Sequence, residues 1–77
     1  MRDTVELIVR KLVDNVDAVD VREIDKGGDG VVIEVRVAED DMGKLIGRQG
    51  KTVRAIRGLL HAASIKQRRR YALMIIE

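Results

Sequence analysis

The sequence predicts an α+β fold, a three-stranded sheet covered on one face by three helices in the order α-β-β-α-α-β. Three observations predict it. Aliphatic residues recur at helical spacing in an early and a late segment, two alternating stretches flank a glycine-rich turn, and the chain closes on a short apolar run. With 77 residues the chain makes one domain, residues 1–77, and two packed layers are the stable arrangement at that size.

The first helix is expected over residues 4–16. Val5, Ile8, Val9, Leu12, Val13 and Val16 follow the three-four spacing of one helical face. Asp3 with Glu6 three residues later has the form of a capping box. A strand is expected over 19–26, where Val19 and Val21 alternate with Asp20 and Arg22. Glu23 and Ile24 break that alternation in the manner of a bulge. Glycines and Asp29 between Lys26 and Gly30 signal a hairpin. The clearest strand is 31–37, with Val31, Ile33, Val35 and Val37 on one side and Val32, Glu34 and Arg36 on the other.

Glu39, Asp40 and Asp41 are good N-cap and first-turn residues for a short helix through Met42, Leu45 and Ile46. Gly47 and Gly50 interrupt it, and a longer helix begins near Lys51. Val53, Ile56, Leu59, Leu60 and Ala63 form its inward stripe, while Lys51, Arg54 and His61 lie opposite with Arg57 on the flank. Residues 66–70 read as a basic linker, and 71–76 as a buried strand, because the run is apolar throughout.

Charge is segregated. Residues 1–41 carry six basic and twelve acidic side chains, whereas residues 42–76 carry nine basic and none acidic. A fold that keeps these halves apart presents a basic face, which attracts polyanions. The loop from Gly47 to Gly50 lies inside the basic half. Glycine tolerates positive φ and lets another backbone come close, and the helix starting after it presents free N–H groups and a partial positive charge to a phosphate. Lys44, Arg48 and Lys51 add full charges around that corner, and Gln49 supplies a hydrogen-bonding amide. Spacing alone also fits a plain C-cap glycine followed by a helix start; the surrounding charge favours the binding reading.

Leu45-Ile-Gly-Arg-Gln-Gly-Lys-Thr-Val53 resembles the G-x-x-G core of the KH domain with its flanking aliphatics, and the element order resembles the type II form of that fold. Along essentially its whole length the chain is similar to the small bacterial single-KH proteins of the KhpA type. The resemblance implies single-stranded RNA as partner, held over about four nucleotides by a loop that clamps the backbone. Carried onto this sequence, Gly47, Arg48, Gln49 and Gly50 form the clamp, flanked by Lys44 and Lys51, with Arg54 one turn along the helix. Ile46 and a residue of the 31–37 strand are candidate walls of a base groove, and Ile46 reads equally well as core. One departure is Glu39, where the common form of the family has proline; it bears on how the short helix is entered. Broad specificity in an RNA chaperone or post-transcriptional regulator, and pairing with itself or another KH protein, are what the resemblance implies.

Other readings fare worse. Gly50-Lys-Thr52 resembles the end of a Walker A loop, but Leu45 stands where that motif needs glycine. No nucleophile has a base beside it: His61 has no sequence partner, Ser64 has no elbow motif, and the chain reads as no enzyme. Without cysteine and with one histidine, neither a thiolate metal centre nor a zinc site is expected, and no cofactor is called for. Base-stacking sheets need aromatics, and Tyr71 is the only one. A recognition helix reading duplex DNA is a further alternative, since the Lys51–His61 face is basic enough, but the linker before it fits the loop reading better. No apolar run approaches the roughly 20 residues of a membrane span, and the expected location is the cytoplasm. Ala55, Gly58 and Ala62 form a small-residue strip on the long helix, the candidate interface of a protein assembly module or dimer. Arg68, Arg69 and Arg70 read equally as extra phosphate contacts or as a solvated helix end.

Overall fold

The computed structural model describes residues 1–77. Six elements follow one another: α1 (Arg2–Leu12), β1 (Asp20–Asp25), β2 (Val31–Arg36), α2 (Met42–Ile46), α3 (Lys51–Gln67) and β3 (Tyr71–Ile76). β2 is the central strand, antiparallel to β1 and parallel to β3. The parallel pair requires a crossover, which α2, the glycine loop and α3 provide. All three helices lie on one face of the sheet, the α+β arrangement read from the sequence.

Strand alternation decides what is buried. Val21, Val31, Ile33 and Val35 point at the helices and are buried; Ile33 and Val35 are fully so. From above, Val5, Val9 and Val13 come down from α1 and the residue after it, Leu45 from α2, and Ile56 and Leu60 from α3. The core is wholly aliphatic, so packing of branched side chains replaces aromatic bulk. On the open face Asp20, Arg22, Glu34 and Arg36 alternate in sign beside Ile24 and Met74.

Several expectations are corrected. α1 starts and stops earlier than 4–16, and the capping box does not form: Asp3 and Glu6 instead bind the Arg2 guanidinium at 2.8 and 2.9 Å. That guanidinium also donates to the Val21 carbonyl at 2.7 Å, fastening α1 to β1. β1 contains no bulge, because its register against β2 runs unbroken from Asp20–Arg36 to Asp25–Val31. Regular pleating places Glu23, opposite Ile33, in the helix-facing row and leaves Ile24 on the open face. α3 continues to Gln67, through the first two residues of the expected linker. Its buried stripe is Val53, Ile56 and Leu60; Leu59 lies on the surface. β3 is an edge strand rather than a buried one, with Ala72 and Met74 exposed. Ser64 accepts a hydrogen bond from the Tyr71 amide at 2.9 Å and donates to the Leu60 carbonyl, which joins the end of α3 to the start of β3.

Candidate nucleic-acid interface

The loop between α2 and α3 is a short, strained corner. Gly47 closes α2 with φ 79° and ψ 168°, a region that L side chains avoid. A Cβ there would also lie 2.7 Å from Thr52 Cβ and 2.8 Å from the Thr52 amide nitrogen, so only glycine fits. Gln49 and Gly50 then both take left-handed conformations, with φ 56° and 75°. For Gln49 this costs roughly 1 kcal/mol. The Arg54 guanidinium offsets it by reaching back to donate to the Gln49 carbonyl. Arg54 is thus a loop tether as well as a cation.

The sequence placed free amides at the start of α3. The structure pairs two of them: Gly50 N–H donates to the Gly47 carbonyl at 3.1 Å, and Lys51 N–H donates to Arg48. The positive field of the loop is therefore carried in large part by side chains. Arg48, Gln49, Lys51 and Arg54 are all exposed, and neither Arg48, Lys51 nor Arg54 forms an ion pair. Lys44 differs. Its ammonium binds Asp14 and lies 3.9 Å from Asp41, and the Asp14 hydrogen bond holds its pKa above the ordinary value. Lys44 therefore anchors α2 to the end of α1 and presents little free charge.

Asp41 carries a structural duty that its local sequence conceals. It stands at the N-cap position of α2 but makes no cap bond. Its carboxylate, almost completely buried, accepts from the amides of Asn15 and Asp14 at 3.0 and 3.2 Å. Those bonds hold its pKa below the usual carboxylate value against the opposing effect of burial, with Lys44 adding a smaller pull. Glu39 opens a tight helical turn over Glu39–Asp41, closed by Asp41 N–H on the Ala38 carbonyl at 2.8 Å, so α2 is entered without proline.

Ile46 is on the surface, 39% exposed, so it is not the core residue that its sequence position equally allowed. Together with Val37, Met42, Glu39 and Glu77 it lines an open cleft of about 530 Å³ beside the loop. Val37, which follows the end of β2, is the residue of the expected 31–37 strand that borders this cleft. Met42 and Glu77 were missed, since nothing local brings the C-terminus of β3 next to α2. On the other side of α3, Ala55, Gly58 and Ala62 are all exposed. Ala55 borders a second, apolar cleft of about 310 Å³ with Ile8, Leu12, Ile56 and Leu59.

A glycine-forced corner between two helices, over a sheet in this order, is the arrangement of a KH domain, and the family model described as KhpA/KhpB, KH domain, matches residues 2–75. The chain belongs to the KhpA/KhpB family. Curated relatives include the RNA-binding protein KhpA of Caldanaerobacter subterraneus subsp. tengcongensis, 47% identical over 76 residues and covering 99% of this chain and 100% of the relative. Its namesake in Halalkalibacterium halodurans is 48% identical over 77 residues with both chains covered in full. That of Aquifex aeolicus is 47% identical over 77 residues, covering 100% of this chain and 96% of the relative. No solved structure matches the chain. No helix is long and apolar enough to cross a membrane.

Proposed function

We propose that the chain binds single-stranded RNA, the loop from Gly47 to Gly50 holding the sugar-phosphate backbone while bases lie in the Ile46 cleft. One observation carries this reading: a corner that only glycine can form stands open to solvent, ringed by Arg48, Lys51 and Arg54 with no acidic partner. Arg48, Lys51 and Arg54 contact phosphates, Gln49 bonds sugar or phosphate, and Ile46 packs against a base. Lys44 acts indirectly, by fixing α2 beneath the loop. The relatives' name, RNA-binding protein, supports the partner class. Few groups here read base edges, so the binding is broad in sequence. It suits an RNA chaperone or post-transcriptional regulator working in the cytoplasm, with no catalysis, metal or cofactor.

The test replaces Arg48 and Gln49 together by Asp and measures fluorescence anisotropy on a labelled single-stranded oligoribonucleotide. Binding is expected to vanish while the circular dichroism spectrum stays unchanged; unaltered affinity refutes the proposal. Affinity of the unmodified chain falls with salt at a log-log slope of about −0.7 per phosphate neutralised.

A second reading rests on the exposed strip Ala55, Gly58 and Ala62 beside the apolar α1–α3 cleft. There the chain pairs with a second copy or another KH-domain protein and acts as an assembly module, with RNA binding secondary. Pairing sets two clamps on one particle and raises avidity. Light scattering distinguishes it: Gly58→Arg lowers the mass of a dimer, whereas a monomer in both forms excludes this interface.

A further inference from the structure

The Ile46 cleft has an order along its length. Ile46 adjoins Gly47, Met42 lies one helical turn before it, and Glu39 comes three residues earlier, in the tight turn that opens α2. From the loop outward this wall therefore runs aliphatic, thioether, carboxylate. Glu39 stands roughly 10–12 Å from Ile46 along the rise of the two short helical segments, far enough for a nucleotide held by its phosphate at the loop to reach it with the outer edge of its base. Val37 and Glu77, the residues that follow β2 and β3, complete the cleft, and no basic side chain lines it. Glu39 and Glu77 are exposed and neither forms an ion pair, so no cation claims their oxygens. Charge thus divides the labour: phosphates go to Arg48, Lys51 and Arg54 at the loop, and the carboxylates keep them out of the cleft. Glu39 is also the position at which this chain departs from the proline common in its family, and proline offers no side-chain acceptor.

We propose that Glu39 makes this one base position selective for guanine, its carboxylate accepting from the N1–H and the 2-amino group while Ile46 and Met42 pack against the ring. This rests on the RNA-binding reading above and assigns to that site a base preference of this chain's own. An ionised carboxylate only accepts hydrogen bonds, so it sorts bases by the donors on the edge that an unstacked base presents. Guanine offers two adjacent donors, which match the two oxygens of one carboxylate. Cytosine and adenine each offer an amino group beside a ring nitrogen that is itself an acceptor. Uracil offers a single N–H between two carbonyl oxygens, and those oxygens repel the carboxylate. The order of preference is guanine, then cytosine and adenine, then uracil, while the rest of the strand is held through its backbone and goes unread.

The experiment measures, by anisotropy, the affinity of a labelled oligouridylate about seven nucleotides long and of the same strand with its central uridine replaced by guanosine, inosine, cytidine or adenosine. The unmodified chain is expected to bind the guanosine strand about five- to ten-fold more tightly than the all-uridine strand, the size of one good bidentate base contact. Inosine, which lacks the 2-amino group, returns most of that gain. Glu39→Gln and Glu39→Pro, both at an exposed position, lose the guanosine preference while binding the all-uridine strand at least as well as the unmodified chain, and Glu77→Gln keeps the preference. Equal affinity of the unmodified chain for the guanosine and all-uridine strands overturns the inference and leaves the loop reading standing. A preference that survives Glu39→Gln, or that disappears only in Glu77→Gln, overturns the assignment to Glu39, and inosine binding as tightly as guanosine overturns the two-bond contact. Absence of binding to every strand sinks the loop reading and this inference together.

Discussion

Replacing Gly47 by alanine tests the corner on which the site depends. The new methyl group meets two costs. Backbone at φ 79° and ψ 168° is a region nearly confined to glycine, and holding alanine there costs about 1–3 kcal/mol. The added carbon also lies 2.7 Å from Thr52 Cβ and 2.8 Å from its amide nitrogen; relieving overpacking of this kind costs about 1–3 kcal/mol more. The sum is about 2–6 kcal/mol, against a total stability of roughly 4–12 kcal/mol for a chain of this length. Gly50 supplies the control. It sits at φ 75° and ψ 15°, and an added Cβ comes only within 3.8 Å of the Arg54 side chain. Gly50→Ala therefore carries the left-handed cost alone, about 1–2 kcal/mol. Urea unfolding followed by circular dichroism measures both. With a slope of roughly 1–2 kcal/mol per molar urea, the Gly47→Ala midpoint falls below that of Gly50→Ala by about 0.5 M or more. Thr52→Ala added to Gly47→Ala removes only the hydroxyl and methyl, leaving the backbone nitrogen and Cβ in the way, so it restores little. Equal losses at the two glycines, or full rescue by Thr52→Ala, refute the reasoning.

Three further outcomes are expected. Asp41→Asn lowers the melting temperature at neutral pH and much less in acid: the Asp41 pKa is depressed in the folded state, so its stabilisation is present above its ordinary value of about 3.8 and is lost as the pH falls through the lower folded value; a constant gap between pH 7 and pH 2 contradicts this. Gly58→Ala raises stability by about 1 kcal/mol, since the glycine is in mid-helix and a Cβ there meets no atom within 4 Å; a loss in urea unfolding shows that something covers the strip. Arg68→Gly raises stability by about 1 kcal/mol, because Arg68 ends α3 at φ 54° and ψ 35°, where glycine is unstrained; calorimetry showing no gain excludes backbone strain there.

The sequence shows most clearly what depends on neighbours a few residues away. The alternation of Val31, Ile33 and Val35 defines β2 because one face is buried and the other wet. Gly47 and Gly50 announce their corner because positive φ is a local demand. Features set by distant partners stay hidden. Asp41 looks like an N-cap until the fold brings Asn15 and Asp14, 26 and 27 residues away, within reach of its carboxylate. Lys44 looks like a free cation until Asp14 arrives beside it. Asp3 and Glu6 have capping-box spacing, but Arg2 offers them a charged partner and takes both. The run from Tyr71 to Ile76 is apolar on both faces, so periodicity carries no information about which face is covered. Only the sheet order, with β3 outermost, reveals that Met74 faces water.

The position of β3 has a consequence for how copies of the chain behave when crowded. One side of that strand has no hydrogen-bonded neighbour, and its composition, Tyr-Ala-Leu-Met-Ile-Ile, is the kind that zips onto an identical strand. Arg68, Arg69 and Arg70 precede it and Glu77 follows it, so like charges repel when two such edges approach in parallel register. These charges oppose parallel pairing of two copies at low ionic strength, and screening them with salt weakens that guard on the β3 edge.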